Sequence, residues 1–364
     1  MEKQHQIFFD FLRFCIGSES EIPSSLKEAD WKELYRIAQK QCLVGILFDG
    51  IKKLPAEQVG MKKGLLLQWM AESQMLEKAN IRLNDAAIQV SGWFRKKRFR
   101  TCILKGQGNA LLYPNGLHRT PGDIDIWVEG GDKRVISFVR SISPHEKACY
   151  HHIEFPSYKG VEVEVHYRPS FLLCFWHNRK LQKYYERVKE KQFSHRVMLG
   201  EQGEIAIPTM EFNLIFQLTH IYAHLMNEGI GLRQLLDYYY VLISDDLSLI
   251  RDRVQKELKH LGLWKFAQAV MFVMKEVFGL SEDRMIAPID EKEGRFLLDE
   301  IMRGGNFGQF DDRMGDKVDE SKIHRYFRMN LRNLRFVKHY PTEAVCEPVF
   351  RTWFAGWKFI NRIK

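Results

Sequence analysis

Over the first 98 residues the apolar positions recur at helical spacing. FFDFLRFC forms a compact apolar face, and SSLKEADWKELYRIAQKQ opens with serine-type cap signals before a periodic run. From Lys63 to about Lys97 the chain continues with helix formers and no internal proline. It closes on WFRKKRFR (Trp93–Arg100), whose cations suit a solvated helix C-terminus. The pattern then changes. TCILKG is a short buried-strand run halted by glycine, and GNALLY reads as a turn or two of helix. DIDIWV alternates with period two, and DKRVISFVRSI returns to helical spacing. ACYHHIEF and GVEVEVHYRP, with the turn-forming PSYKG between them, predict a β-hairpin. From Pro208 onward MEFNLIFQLTHIYAHLM, GLRQLLDYYYVLI and SLIRDRVQKELKHLGLWKFAQAVMFVMKEVF are helical again. The glycine-rich RGGNFGQFDDRMGD (Arg303–Asp316) interrupts them and reads as a flexible connector, with a hinge over a cleft or a ligand contact at GGNFG as the alternative. The predicted class is α+β: a helical region over 1–98, a small mixed β-sheet core over 99–200 and a helical region over 201–364.

Composition narrows this picture without redirecting it. Of 364 residues, 45% are hydrophobic and 13% aromatic, which is globular rather than disordered. The longest apolar runs, such as LVGILF (Leu43–Phe48), are too short to span a bilayer, so integral membrane association is not expected. MEKQHQIFFD lacks a signal-peptide core, and the six cysteines are scattered singly, so the expected location is cytoplasmic. The net charge of +9 is concentrated in Ser321–Lys364, which has ten Lys or Arg against two Glu. There Arg325, Arg328, Arg332 and Arg335 share one helical face, with Phe327, Leu331 and Leu334 on the other. A basic face of this kind suits RNA, a polyphosphate or acidic lipid, and equally describes a solvated helix.

Candidate chemistry lies in the middle of the chain. Side chains alternate along a strand, so Asp123 and Asp125 point the same way while Ile124 and Ile126 face the core. Two carboxylates at that spacing repel unless a cation sits between them, and magnesium takes oxygen ligands of this kind. Acidic residues also occupy the wet faces of ordinary sheets. GVEVEVHY supplies a second alternating strand, with Glu162, Glu164 and His166 opposite Val161, Val163 and Val165. The turn Lys105-Gly106-Gln107-Gly108 follows a buried strand, and its glycines let backbone N–H groups approach phosphate oxygens. Neither the Rossmann fingerprint nor the Walker pattern is present. His220 and His224 lie one helical turn apart and read as packing residues or as support to a site. Arg233 and Asp237 read as a helix-surface pair.

A glycine turn, then h-D-h-D-h, then a later h-E-h strand resembles the nucleotidyltransferase superfamily that includes DNA polymerase beta. More closely, LKG…YP…HR…GDIDIWV with VEVEVHYRP and H-x3-H…LRQLLDYYY is similar to the bacterial family described as uncharacterised nucleotidyltransferases. RMNLRNLRFVKHYP…EPVFRTWFAGWKFINR looks like that family's ending. The resemblance implies magnesium ligands at Asp123 and Asp125 and a third acid at Glu164, with Glu162 the competing choice. It implies triphosphate contacts at Gly106 and Gln107, although Gly-Ser or Gly-Gly is usual where Gly-Gln stands here. Lys105 and Arg119 are candidates to neutralise phosphate charge; His166 is a candidate to touch substrate or orient the acid, or equally to make a structural hydrogen bond to a neighbouring strand. Two magnesium ions about 3.5–4 Å apart and an NTP substrate follow from the same likeness. The expected activity moves a nucleoside monophosphate to an acceptor with pyrophosphate release. The alternatives are a nucleotide- or RNA-binding protein on the same scaffold, and phosphoryl-group hydrolysis at the same metals.

Overall fold

The structure, a computed structural model, describes residues 3–55, 60–201, 203–314 and 322–360. Helices α1 (Lys3–Ile16), α2 (Trp31–Lys40) and α3 (Val44–Ile51) lead into the long α4 (Lys63–Lys96). The cap of α2 is Asp30, whose carboxylate accepts from the Lys32 and Glu33 N–H groups at 3.0 and 3.4 Å. The expected serine cap is therefore corrected: Ser24 and Ser25 open a 3-10 turn, Ser24–Glu28, upstream of the helix. One stripe of α4 is buried, including Trp69, Ser73, Asn80, Leu83, Ala87, Val90 and Phe94. Its period keeps one face inward over the helix length. The Trp69 indole N–H donates to the Val44 carbonyl at 2.8 Å, which ties α4 to α3.

The central sheet is built from β1 (Thr101–Ile103), β2 (Ile124–Val128), β3 (His152–Tyr158) and β4 (Val161–His166). Between β1 and β2 run the four-residue α5 (Gln107–Ala110) and a 3-10 turn at Gly116–His118, and α6 (Gly131–Ile142) follows β2. The strand order is β1-β2-β4-β3, with β2 and β4 parallel and both outer pairings antiparallel. The expected hairpin is present as β3–β4, with its turn confined to Lys159-Gly160. Pro156 lies inside β3, where the pairing slips between Phe155 and Tyr158, because proline has no N–H for the ladder. Isoleucines of β2 and valines of β4 join Val90 and Phe94 of α4 and Val135 and Val139 of α6 in one apolar cluster.

Beyond the sheet come α7 (Phe175–Ser194) and a separate hairpin of β5 (Arg196–Leu199) and β6 (Gly203–Ala206). Helices α8 (Met210–Asn227), α9 (Leu232–Ile243), α10 (Arg251–His260), α11 (Trp264–Phe278) and α12 (Glu291–Gly304) then form the larger apolar core with α1–α3. The last two are α13 (Lys322–Val337) and α14 (Pro341–Ile360). This is an α+β fold, and no described helix is long and apolar enough to cross a membrane.

The arginine face expected on α13 is corrected. Arg332 is 4% exposed and donates to the Leu225 and Met226 carbonyls at the end of α8. Those carbonyls belong to a final helical turn that lacks intrahelical partners, so a charged side chain is drawn inward to satisfy them. Arg335 pairs with Asp311 at 3.3 Å, while Phe327, Leu331 and Leu334 are the exposed side, the leucines at 65% each. The side chain of Arg325 lies outside the described residues.

Gly45 of α3 carries the turn that precedes β2. A Cβ there would lie 2.3 Å from the His118 carbonyl oxygen, a backbone atom with little freedom to move. Gly45→Ala is therefore expected to destabilise the chain by about 1–3 kcal/mol in urea unfolding through overpacking. The gain in helix propensity of about 1 kcal/mol is too small to reverse the sign.

Candidate active site

The parallel register of β2 and β4 sets Asp125 directly opposite Glu164. Asp125 is 3% exposed, and every residue of β2 is buried, so the alternative of an ordinary wet sheet face does not describe this strand. Its Oδ1 lies 2.8 Å from Lys105 Nζ and 2.9 Å from His166 Nε2. Glu164 Oε2 lies 3.2 Å from His152 Nδ1 and 3.4 Å from His166 Nε2. Lys105 Nζ also donates to His220 Nε2 at 3.0 Å, and His220 meets His224 at 3.1 Å. Donor atoms of Asp125, Glu164 and His166 all fall within 4.8 Å of one another, and Asp123 stands immediately before β2. These groups form the floor of a cavity of about 440 Å³.

The charges on this floor depend on one another. Burial opposes ionisation of Asp125, but the Lys105 ammonium and the His166 hydrogen bond hold its carboxyl well below the usual carboxylate range. Repulsion from Asp125, and then burial, push Asp123 the other way. Burial also opposes ionisation of Glu164, but the His166 hydrogen bond together with the charges of His152 and His166 lowers it on balance. His166 is raised to about 9, because the hydrogen bonds to Asp125 and Glu164 exceed the effect of burial. Burial and the neighbouring His166 lower His152 to about 4, while burial leads the depression of His151 and His220. The result is one imidazole suited to the charged form among several held neutral.

The chain matches the family described as uncharacterised nucleotidyltransferase over residues 27–279, more than half of its length. It belongs to that family. A search among proteins of curated function finds no match. The nucleotidyltransferase match takes in the whole floor of the cavity and stops before α13 and α14.

In this member of the family, the residues predicted from the sequence converge unevenly. Lys105, Gly106, Asp123, Asp125, Glu164 and His166 all line the cavity. Gly106 has φ of +57°, a conformation that disfavours a side chain, and it caps α5. Gln107 does not join the lining; it is buried and its amide donates to Asn84 of α4. Glu162 is exposed, two residues before Glu164 on the same strand. Arg119 reaches the cavity wall, but its guanidinium is held by both oxygens of Asp237, each at 2.7 Å. Asp237, 6% exposed, also accepts from Tyr113 at 2.7 Å, so the expected Arg233–Asp237 surface pair is corrected. Asp237 faces inward, and the nearby Arg119 takes up its oxygens.

Arg233 is the cation that sequence reasoning missed. It lines the cavity, donates to the Thr120 carbonyl at 3.2 Å, and leaves its buried Nε without a hydrogen-bond partner. Burial and then repulsion from Arg119 lower its pKa. No spacing rule finds this, since Arg233 and Asp237 sit four apart whichever partner the aspartate takes. The predicted flexible connector after α12 is also corrected. Phe307, at φ of +52°, enters the cavity wall 5.1 Å from the His224 ring, and Asn306 accepts from Gln234 at 3.1 Å. The opposite wall is aromatic: Tyr150, Phe171 and Phe350 pack with ring centres 5.2–5.5 Å apart, and Phe354 adjoins them.

Arg119→Ala leaves the buried Asp237 without its main partner, and a loss of about 3–5 kcal/mol is expected in denaturant unfolding. A pH series tests the His166 assignment in metal-free protein. Its folded pKa is about 9, above the unfolded value of about 6.5. Its stabilising contribution is thus complete below about pH 6.5 and lost as pH rises through about 9. The difference in melting temperature between wild type and His166→Gln is expected to shrink over that interval.

Proposed function

We propose that the protein moves a nucleoside monophosphate from a nucleoside triphosphate to an acceptor hydroxyl, phosphate or amine, with pyrophosphate release. Asp123, Asp125 and Glu164 hold magnesium in this reading. The observation that carries it is the pairing of Asp125 with Glu164 on neighbouring parallel strands at the floor of a cavity. The donor set fits the ion: oxygen ligands converge, and the Asp123 carboxyl is pushed towards its neutral form by charge that a divalent cation would offset. When bound, magnesium supplies Lewis-acid stabilisation of the phosphoryl oxygens.

The chain's own residues account for the remaining tasks. Arg233 has no carboxylate partner among the described residues and offers guanidinium donors to the triphosphate. Arg119 supports that role by engaging Asp237, which leaves Arg233 available. Lys105 supplies a second positive charge at the floor. Glu164, half-buried and braced by His152, is within the cavity to accept a proton from an acceptor hydroxyl. The aromatic wall offers rings for a base or for an apolar part of the acceptor.

Two observations favour the alternative of nucleotide or RNA binding without transfer. Lys105 already neutralises Asp125 at 2.8 Å, and Gln107 of the glycine turn faces α4 rather than the cavity. Incubation with α-labelled triphosphates, magnesium and a panel of acceptors separates the two readings. Wild type is expected to transfer label, and Asp123→Asn, Asp125→Asn and Glu164→Gln to lower transfer by more than about 100-fold, beyond the usual effect of disturbing a residue behind the ligands. Arg233→Met is expected to weaken triphosphate binding by roughly 10-fold or more. Nucleotide binding without transfer to any acceptor supports the binding protein.

A further inference from the structure

The carboxylate floor is bordered by more imidazoles than the transfer reading uses, and three of them come together for a reason of topology. His151 precedes β3, His152 opens it, and His152 pairs in register with His166 at the end of β4. Their ring centres are consequently 4.5–5.3 Å apart. One donor atom from each falls within 4.8 Å of the others.

We propose that His151, His152 and His166, together with Glu164, form a nitrogen-rich site for a first-row transition metal such as Zn²⁺ or Co²⁺. The site shares Glu164 with the proposed magnesium set but does not depend on nucleotidyl transfer. Ligand atoms 2.0–2.1 Å from a tetrahedral ion stand about 3.3–3.4 Å apart. Here His151 Nε2 and His152 Nδ1 are 3.1 Å apart, His152 Nδ1 and Glu164 Oε2 3.2 Å, and His166 Nε2 and Glu164 Oε2 3.4 Å.

Ring orientation is consistent with ligation. His166 Nδ1 lies 3.3 Å from the Arg168 carbonyl, which only accepts, so this nitrogen carries a hydrogen. In the neutral ring Nε2 then presents its lone pair towards the oxygens of Asp125 and Glu164, an arrangement that calls for a proton or a cation between them. A backbone carbonyl behind a histidine is also the usual device for fixing a metal-binding imidazole. Three imidazoles and one carboxylate favour zinc, cobalt or nickel over magnesium, which prefers oxygen donors and retains its waters.

Titration of the metal-stripped full chain with Co²⁺ tests the site by visible absorption. The expected result is the intense d–d bands of a four-coordinate ion, abolished by Zn²⁺ and retained at a comparable concentration of Mg²⁺. His151→Ala and His152→Ala are expected to lower Co²⁺ affinity by more than about 100-fold. Zn²⁺ is expected to raise the melting temperature of wild type and not of His152→Gln, a milder replacement. Asp123→Asn, which removes transfer under the preceding proposal, is expected to leave the bands intact, so the two readings fail separately. Weak six-coordinate bands that persist in both histidine variants overturn the site. So does displacement by Mg²⁺ at comparable concentration, or a wild-type melting temperature unmoved by Zn²⁺.

Discussion

The parallel pairing of β2 with β4 puts Asp125 beside Glu164, and the cost of burying two like charges side by side governs what surrounds them. A carboxylate 3% exposed persists in its charged form only with cations and donors close by. Lys105 arrives from the turn after β1 and His166 from two residues further along β4. His152 crosses from β3 to reach Glu164, and His220 reaches from α8 to Lys105. Strand register, the glycine turn and the approach of α8 all meet at these contacts.

A second buried charge arrangement holds the walls around that floor. Asp237 of α9 binds Arg119, which follows the turn packed against Gly45, and also binds Tyr113. One carboxylate thus fastens the loop between β1 and β2 to the helical region. Arg233, one turn earlier on α9, remains as a cation facing the cavity. The aromatic wall has another origin, because Phe350 and Phe354 come from α14, beyond the matched residues. Arg332, bonded to the last carbonyls of α8, fixes α13 and leaves Leu331 and Leu334 facing outward.

Much of the site was legible in the sequence where a local rule applies. Period-two alternation marked IDIWV and VEVEVH as strands and put Glu164 with His166 on a common face, while Asp123, just before β2, lines the same cavity as Asp125. Helical periodicity similarly marked the long helices on either side. Periodicity failed where charge was drawn inward. On α13 it separated the arginines from the leucines correctly, but which stripe faces the protein depended on unsatisfied carbonyls of α8 more than a hundred residues earlier. The glycines of RGGNFG suggested a free connector, yet Phe307 and Asn306 are engaged by His224 and Gln234.

By itself, then, the sequence determined the α+β order of elements, the acidic and imidazole faces of the two strands, and membership of a nucleotidyltransferase family. These depend on residue type and spacing along one segment, which the chain carries locally. Tertiary structure decided that Asp125 meets Glu164, that Asp237 takes Arg119 and frees Arg233, and that His151 and His152 join His166. Each of those outcomes is a choice among partners distant in the chain. Burial makes the choice, because a charge removed from water must take the nearest complementary group that folding brings to it.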